Sequence, residues 1–408
     1  MLQGHVVCSA SAWVRRTPGF VFILAATFLF LGSLSQPSEA QTYKVIHTFT
    51  AKGSDGATPF GGPVLDRLGN LYGSTYTGGL YGAGSVYELS PHATGWKYTS
   101  LYSFTGEADG DAPAFGTLAR HNGALYGTTE GGGYFGVAFK VGPCNKTCPE
   151  KVRHSFGQGT DGQEPVGGVV FDDAGNFYGT TLLGGAYGNG TVYEITPAGV
   201  ESVIYSFTGG NDAVNPAAGV TLDAKGNLYG TTSFGGTNGV GAVYELSPSA
   251  SGWTETILYN FQGLDDGQNP VGGVILDKVG NIYGGTFDGG VNGGGTVYEL
   301  SPSGGGWTFS TLYSFVGGYG GPYNKLALDT KGNLYGATEG EGAKGYGLVF
   351  KLTPANGSWE FTDLYDFPDG NKGGQPYGSV AVDKQGNIFG TTNLGGKDNQ
   401  GVIFEITP

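Results

Sequence analysis

The stretch GNLYGTTSFGGTNGVGAVYELSP, Gly226 to Pro248, is written again 54 residues later as GNIYGGTFDGGVNGGGTVYELSP, Gly280 to Pro302. Carrying its tyrosine through the chain gives Tyr72, Tyr126, Tyr178, Tyr229, Tyr283, Tyr335 and Phe389, at steps of 54, 52, 51, 54, 52 and 54 residues. Self-similarity at one period marks a repeat architecture whose units share a core instead of building separate ones. Residues 41–408 are therefore read as one repeat domain of seven units. The 81 glycines follow no triplet and sit among regularly spaced Tyr, Phe, Val and Leu, which fits sheets and turns and excludes collagen and disorder.

Within residues 165–207 one unit divides into four β segments. PVGGVVFD is an apolar run; AGNFYGTT follows a D-x-x-G-N turn; GTVYEITP alternates apolar and polar; VESVIYSF closes on two aromatics. Four short antiparallel strands per unit make a propeller blade, and the expected fold is all-β, a seven-bladed β-propeller, with an open β-solenoid as the alternative. The ends of the chain are out of phase. YKVIHTF at 43–49 reads as a fourth strand, whereas the chain stops at GVIFEITP, a third strand. Pairing residues 43–49 with the last unit would close the ring and remove both open edges. Glycines beside the second-strand tyrosines, such as Gly179 and Gly230, are expected to admit a ring or backbone from the neighbouring blade.

The formal charge is −14 with only 13% charged residues, so no basic stripe is available for a phosphate backbone, and nucleic acid is excluded as a partner. Arg15 and Arg16 precede the apolar run GFVFILAATFLFLG and the small residues Ser38 and Ala40, the layout of a signal peptide over 1–40. The run is roughly fifteen residues, short of the ~20 that span a bilayer, so a retained anchor is the secondary reading. The mature chain is expected outside the cytoplasm, secreted or periplasmic, not membrane-spanning, and monomeric. Cys144 and Cys148 remain after cleavage and are expected to form a small local disulfide.

The phrase GN-LYG-TT-x-GG…G-x-V-Y-E-L-x-P resembles the GloVer tandem repeat of exported bacterial proteins, over essentially all of residues 43–408. The resemblance implies export and a propeller, without an agreed activity. Members often end in a surface anchor; no such segment follows Pro408, and the chain is expected to depart from the pattern there. The D-x-x-G-N-L-Y turn is more weakly similar to NHL-like and streptogramin-lyase-like propellers, some of them enzymes.

Two carboxylates recur. Asp66, Asp172, Asp223, Asp277, Asp329 and Asp383 precede the second strand and read as turn caps. Asp55, Asp109, Asp161, Asp212 and Asp266 lie in D-G-x-x-P, with Ala213 for the glycine after Asp212, on the expected loop face; they read as turn residues or as a ring of weak Ca²⁺ or sugar-hydroxyl contacts. His47 and His154 take the place of a fourth-strand tyrosine and read as packing variants. No nucleophile elbow, zincin helix or Walker loop occurs.

Exceptions to the repeat carry more information. Glu follows the T-T pair only at Glu130 and Glu339, the two units in which Lys140 and Lys351 replace the glutamate of V-Y-E-L, which suggests two coupled ion pairs. The sixth unit has a shortened loop and Asn324-Lys325 where three units have a glycine pair and the other three have one glycine. Tyr319, Tyr323, Lys325, Glu339 and Glu341 are therefore expected to crowd the channel mouth. Together with Glu130 they form the candidate ligand site. The function expected is a non-catalytic binding scaffold for polysaccharide or a surface protein. The alternative is a carbohydrate-active hydrolase or lyase using Glu130 and Glu339, which would sit far apart across the channel.

Overall fold

The computed structural model describes residues 41–113, 115–144, 148–317 and 320–408. Seven four-stranded antiparallel sheets follow one another as the blades of a seven-bladed β-propeller. Blade 4 shows the plan: Thr221–Leu222 lies innermost, followed outward by Leu228–Thr232, Ala242–Ser249 and Gly252–Asn260. Blade 2 departs from it. Its first two strands are joined by the two-residue turn Asn122-Gly123, both residues at positive φ, where the other blades use the Asp-capped loop. Among the described residues the one helical element is the 3₁₀ turn Gly370–Lys372, and no helix is long and apolar enough to cross a membrane. The expected signal segment, 1–40, lies outside the described residues.

The ring closes as the phase of its ends requires. Blade 7 takes Ala381–Val382, Ile388–Thr392 and Val402–Thr407 from the end of the chain and Thr42–Thr48 from its start. The register runs from Thr42 opposite Thr407 to Thr48 opposite Val402, with a bulge between Val45 and His47. Tyr43 then stacks on Tyr365 of blade 6 at 3.7 Å between centroids, tying the first strand to the preceding blade as well.

One unit of packing recurs seven times. The phenylalanine after each fourth strand (Phe49, Phe104, Phe156, Phe207, Phe261, Phe315, Phe367) is fully or almost fully buried. Each meets the third-strand ring of the next blade, with centroids 4.8–5.5 Å apart, as in Phe156–Tyr193 and Phe49–Tyr87. That ring in turn lies over a second-strand glycine. Gly230 is the cross-strand partner of Tyr244, and a Cβ on Gly230 would stand 2.3 Å from the Tyr244 hydroxyl. The ring above these glycines therefore comes from the partner strand of the same blade, not from the neighbouring blade as expected. A pleated strand brings the directly opposed side chain closest, and only a glycine leaves room for a ring to lie flat there.

At the axis the glycine pairs serve a second purpose. A Cβ on Gly62 would stand 1.9 Å from the Ser379 carbonyl oxygen, and one on Gly219 would stand 1.9 Å from that of Gly168. The innermost segments of neighbouring blades thus pass backbone to backbone.

Deleting residues 41–50 removes the outer strand of blade 7 and Phe49 together; thermal unfolding of the shortened protein is expected at a clearly lower midpoint, and an unchanged midpoint would show that closure contributes nothing. The hydroxyls of Tyr87, Tyr193, Tyr244 and Tyr298 are buried without a partner, and three blades carry Phe at that place. Tyr→Phe at those four positions is expected to hold or raise the midpoint, by about 1 °C per site. Gly230→Ala, which drives the Tyr244 ring off its seat, is expected to cost about 1–3 kcal/mol by calorimetry.

Candidate functional site

The D-G-x-x-P loop and the loop after the second strand meet on one face, joined by main-chain bonds such as Gly236 N–H to the Asp212 carbonyl at 2.7 Å. On this face the residue after the proline lines the axis: Phe60 in blade 1, Val166, Ala217 and Val271 in blades 3 to 5, Tyr323 and Tyr377 in blades 6 and 7. Blade 2 carries one extra residue here, and Phe115 falls at the same level. The column is aromatic in the four consecutive blades 6, 7, 1 and 2, and aliphatic in the other three.

These rings form one arc. Tyr323 meets Tyr377 at 5.1 Å, Tyr377 meets Phe60 at 5.2 Å, and Phe60 meets Phe115 at 4.8 Å. Tyr76 of blade 1 and Phe287 of blade 5, both from the position after the T-T pair, join it through Phe60 and Tyr323. All six are part-exposed. Most contacts are edge-to-face, the arrangement that suits the ring quadrupole, and they fix the rings as a preformed surface.

Two glutamates flank the rings. The Tyr76 hydroxyl donates to Glu130 Oε2 at 2.9 Å, and the Tyr377 hydroxyl donates to Glu339 Oε1. Burial pushes Tyr76 up to about 12, helped by its bond to Glu130. Burial likewise raises Tyr323, and the charges of Glu339 and Glu130 both add to the effect. Both carboxylates thus act on the one phenol of Tyr323. Burial also raises Glu339, against the Tyr377 bond, with Asp288 adding to the rise.

Other candidates fall elsewhere. The expected ion pairs Glu130–Lys140 and Glu339–Lys351 are absent among the described residues. Lys140 is the cross-strand partner of Tyr126 and sits over its ring at 5.7 Å, and Lys351 does the same over Tyr335 at 5.9 Å. Each glutamate lies four residues further along the strand, about 13 Å at ~3.3 Å per residue. The lysines replace the hydrogen bond that Glu194, Glu245 and Glu299 accept from the same tyrosine in blades 3 to 5. Glu341 does not reach the channel mouth. It is 5% exposed, with Oε1 packed where side chains on Gly294 or Gly317 would stand, and burial lifts it to about 7. Its charge acts on Tyr313, the fourth-strand tyrosine whose own D-G-x-x-P aspartate is missing. Tyr319 lies outside the described residues.

The five D-G-x-x-P aspartates have protein partners. Asp109 accepts from the Tyr102 hydroxyl at 2.7 Å and from the Thr105 main chain and hydroxyl; Asp212 and Asp266 accept similarly from Tyr205 and Tyr259. His154 and His47 stand in for the tyrosine on Asp161 and Asp55. Burial alone would raise Asp55; the bonds from His47 and Thr50 outweigh it and hold the carboxyl below its usual value. No group of three or more metal-ligating side chains occurs among the described residues. Cys144 and Cys148 are disulfide-bonded.

Beneath the arc lies a cavity of about 280 Å³ along the axis, lined mainly by glycines and valines of blades 2 to 5 and by Tyr323, Asn324 and Lys325. Asn324 reaches across the channel: Nδ2 donates to the Phe115 carbonyl at 3.0 Å, and Oδ1 accepts from the Ser379 hydroxyl at 3.0 Å. Lys325 Nζ donates to Thr221 Oγ1 of blade 4 at 2.6 Å. The sixth blade thus fills one side of the channel and leaves the other open.

The Gloeobacter/Verrucomicrobia repeat model matches residues 32–223 and again 215–408. The chain belongs to the Gloeobacter/Verrucomicrobia repeat family. No curated protein matches it. Among solved structures it is similar to a putative oxidoreductase (glucose dehydrogenase) from Thermus thermophilus, at 13% identity and a TM-score of 0.45, over 90% of this chain and 99% of that one. That likeness is too slight to bear on function. Across the seven units of this chain the inter-blade rings recur in all and the turn-capping aspartates in six, whereas the column after the proline is aromatic on the axis in four.

Between the blades a further set of carboxyls is paired. Glu150, Glu201 and Glu255 occupy the fourth-strand place where other blades stack Tyr98, Phe309, Phe361 or Tyr43, and each has a buried Oε1 without a partner. Burial first, and then Asp109, Asp161 and Asp212 respectively, push each of them up to about 7. An acid raised when folded binds its proton more tightly in the native state, so its contribution to stability is complete below the unfolded value near 4.5 and is lost as pH rises to 7. The half-exposed sites scale this to on the order of 1 kcal/mol each. The variant E150Q/E201Q/E255Q is expected to flatten the fall in the thermal midpoint between pH 4.5 and 7, and an unaltered slope would remove the three pairs as its cause.

Proposed function

We propose that the protein is a non-catalytic binding scaffold whose ligand is a polysaccharide, held at a single site on the loop face. The observation that carries this reading is the arc: six part-exposed rings, held mostly edge-to-face in five adjacent blades and flanked by Glu130 and Glu339. Sugars present C–H faces that stack on aromatic rings and hydroxyls that donate to carboxylates, and a preformed surface limits the ordering cost of binding. With a formal charge of −14 the chain offers nucleic acid no basic surface to follow.

The hydrolase or lyase alternative draws less support. Glycoside hydrolysis needs two carboxyls flanking one bond, one free to give a proton and the other free to attack or to activate water. Here each carboxylate is engaged by a tyrosine hydroxyl. Calcium is not required on this reading, because the D-G-x-x-P aspartates already accept protein donors.

The test is binding of the 41–408 protein to a polysaccharide array, with and without Ca²⁺. The double variant Y323V/Y377V gives the arc the aliphatic residue of blades 3 and 5. It is expected to weaken binding about 10- to 100-fold, from the ~0.5–1.5 kcal/mol of each ring, while the thermal midpoint changes little. Undiminished binding would move the site off the arc, and a stoichiometry near five per chain would favour the repeated aspartate loops.

A further inference from the structure

Lys325 is the exception at the axis. Gly62, Gly168, Gly219 and Gly273 occupy its place in other blades. Lys325 is part-buried, and its ammonium carries three N–H donors, of which one is used, on Thr221 Oγ1. That hydroxyl is itself committed as a donor to the Val274 carbonyl at 2.5 Å, so it meets Lys325 as an acceptor. Among the described residues no carboxylate forms an ion pair with Lys325. Burial lowers it to about 8, which still leaves it mostly protonated at neutral pH.

Taking an ammonium part-way out of water without a counter-charge is costly, and proteins pair such groups or neutralise them. Here neither has happened, and beside the ammonium lies open space. Lys325 lines the cavity of about 280 Å³, whose other walls are glycine backbone, valines, Thr117, Ser379 and Asn324. The one other titratable side chain in the lining, among the described residues, is Tyr323. It stands at the arc end, with Glu339 and Glu130 acting on it from beyond. The space exceeds the ~30 Å³ share of one water several-fold, enough for a small organic group.

We propose that this cavity is a carboxylate site in which Lys325 supplies the counter-charge and Thr221 orients it. The carboxylate could arrive on a free small acid or on a sugar. Tyr323 and Phe115 belong both to the arc and to the cavity lining, so an acidic sugar stacked above could direct its carboxylate inward. The anion site does not depend on glycan binding at the arc, and its test uses no glycan.

Thermal unfolding of the 41–408 protein at pH 7 is measured in acetate and in a bulky sulfonate buffer at equal ionic strength. Acetate is expected to raise the wild-type midpoint with the logarithm of its concentration above Kd, by about 2 °C at ten times its Kd. The rise should fade by pH 9 as Lys325 loses its proton. K325M and K325Q, which remove an uncompensated charge and so keep the fold, should show no acetate response, while K325R should keep one. D-glucuronate is compared with acetate, and D-glucose is the uncharged control. Glucuronate binding at least tenfold tighter than acetate assigns the carboxylate to a sugar; equal affinities assign it to a free acid. The proposal is overturned by a wild type indifferent to acetate, or by K325M responding as the wild type does.

Discussion

The fold depends on a three-part contact made once per blade: a phenylalanine leaving the fourth strand, a ring on the next blade's third strand, and the glycine beneath that ring. The glycine lets the ring lie flat, the flat ring presents an edge or face to the phenylalanine, and the phenylalanine fixes the spacing of two sheets. Each link supposes the one before. Removing the glycine displaces the ring; displacing the ring empties the inter-blade gap, where a lost aromatic contact carries both a transfer and a cavity cost. Because the contact is repeated around a closed circle, a change of spacing at one gap must be absorbed by the remaining six.

A ring so constrained can tolerate asymmetry only where the repeated contact is not involved. The residue after each proline faces the axis, outside the inter-blade contact, and there four adjacent blades have turned aromatic while three stayed aliphatic. The glycine pair one step further in is constrained by backbone approach, yet blade 6 carries Asn324 and Lys325. It does so by sending both side chains across the channel, to blades 2 and 7 and to blade 4. Specialisation has collected on the axial surface of the loop face.

Much of the architecture was legible in the sequence because it follows from period and phase. The spacing of Tyr72 to Phe389 counts the blades, and a fourth-strand motif at 43–49 set against a third-strand ending predicts how the ring closes. What was misread followed from arguments that period alone cannot support. Alternation says that Gly230 and Tyr244 are special but not that they are cross-strand partners, which needs the register. Glu130 and Lys140 vary together without touching, since both answer to neighbouring tyrosines, Tyr76 and Tyr126, at separate levels of the sheet. The arc was missed although its signal was present: comparing the residue after each proline would have exposed Tyr323, Tyr377 and Phe60, while the extra residue of blade 2 shifts Phe115 out of alignment. Lys325 was visible as an exception, but its lack of a counter-charge could be seen only once the blades were arranged around it.

The manner of closure bears on how the protein comes apart. A linear stack of repeats frays from its ends, where each terminal unit has one neighbour. Here the strand Thr42–Thr48 is held on both sides, by Val402–Thr407 within its sheet and by Tyr365 in the blade before, while Phe49 is buried in the blade after. No unit is terminal in the sense that matters for fraying. Opening the ring at this seam must release one strand from its own sheet and from the blades on either side together, so closure ties blades 6, 7 and 1 into one unit.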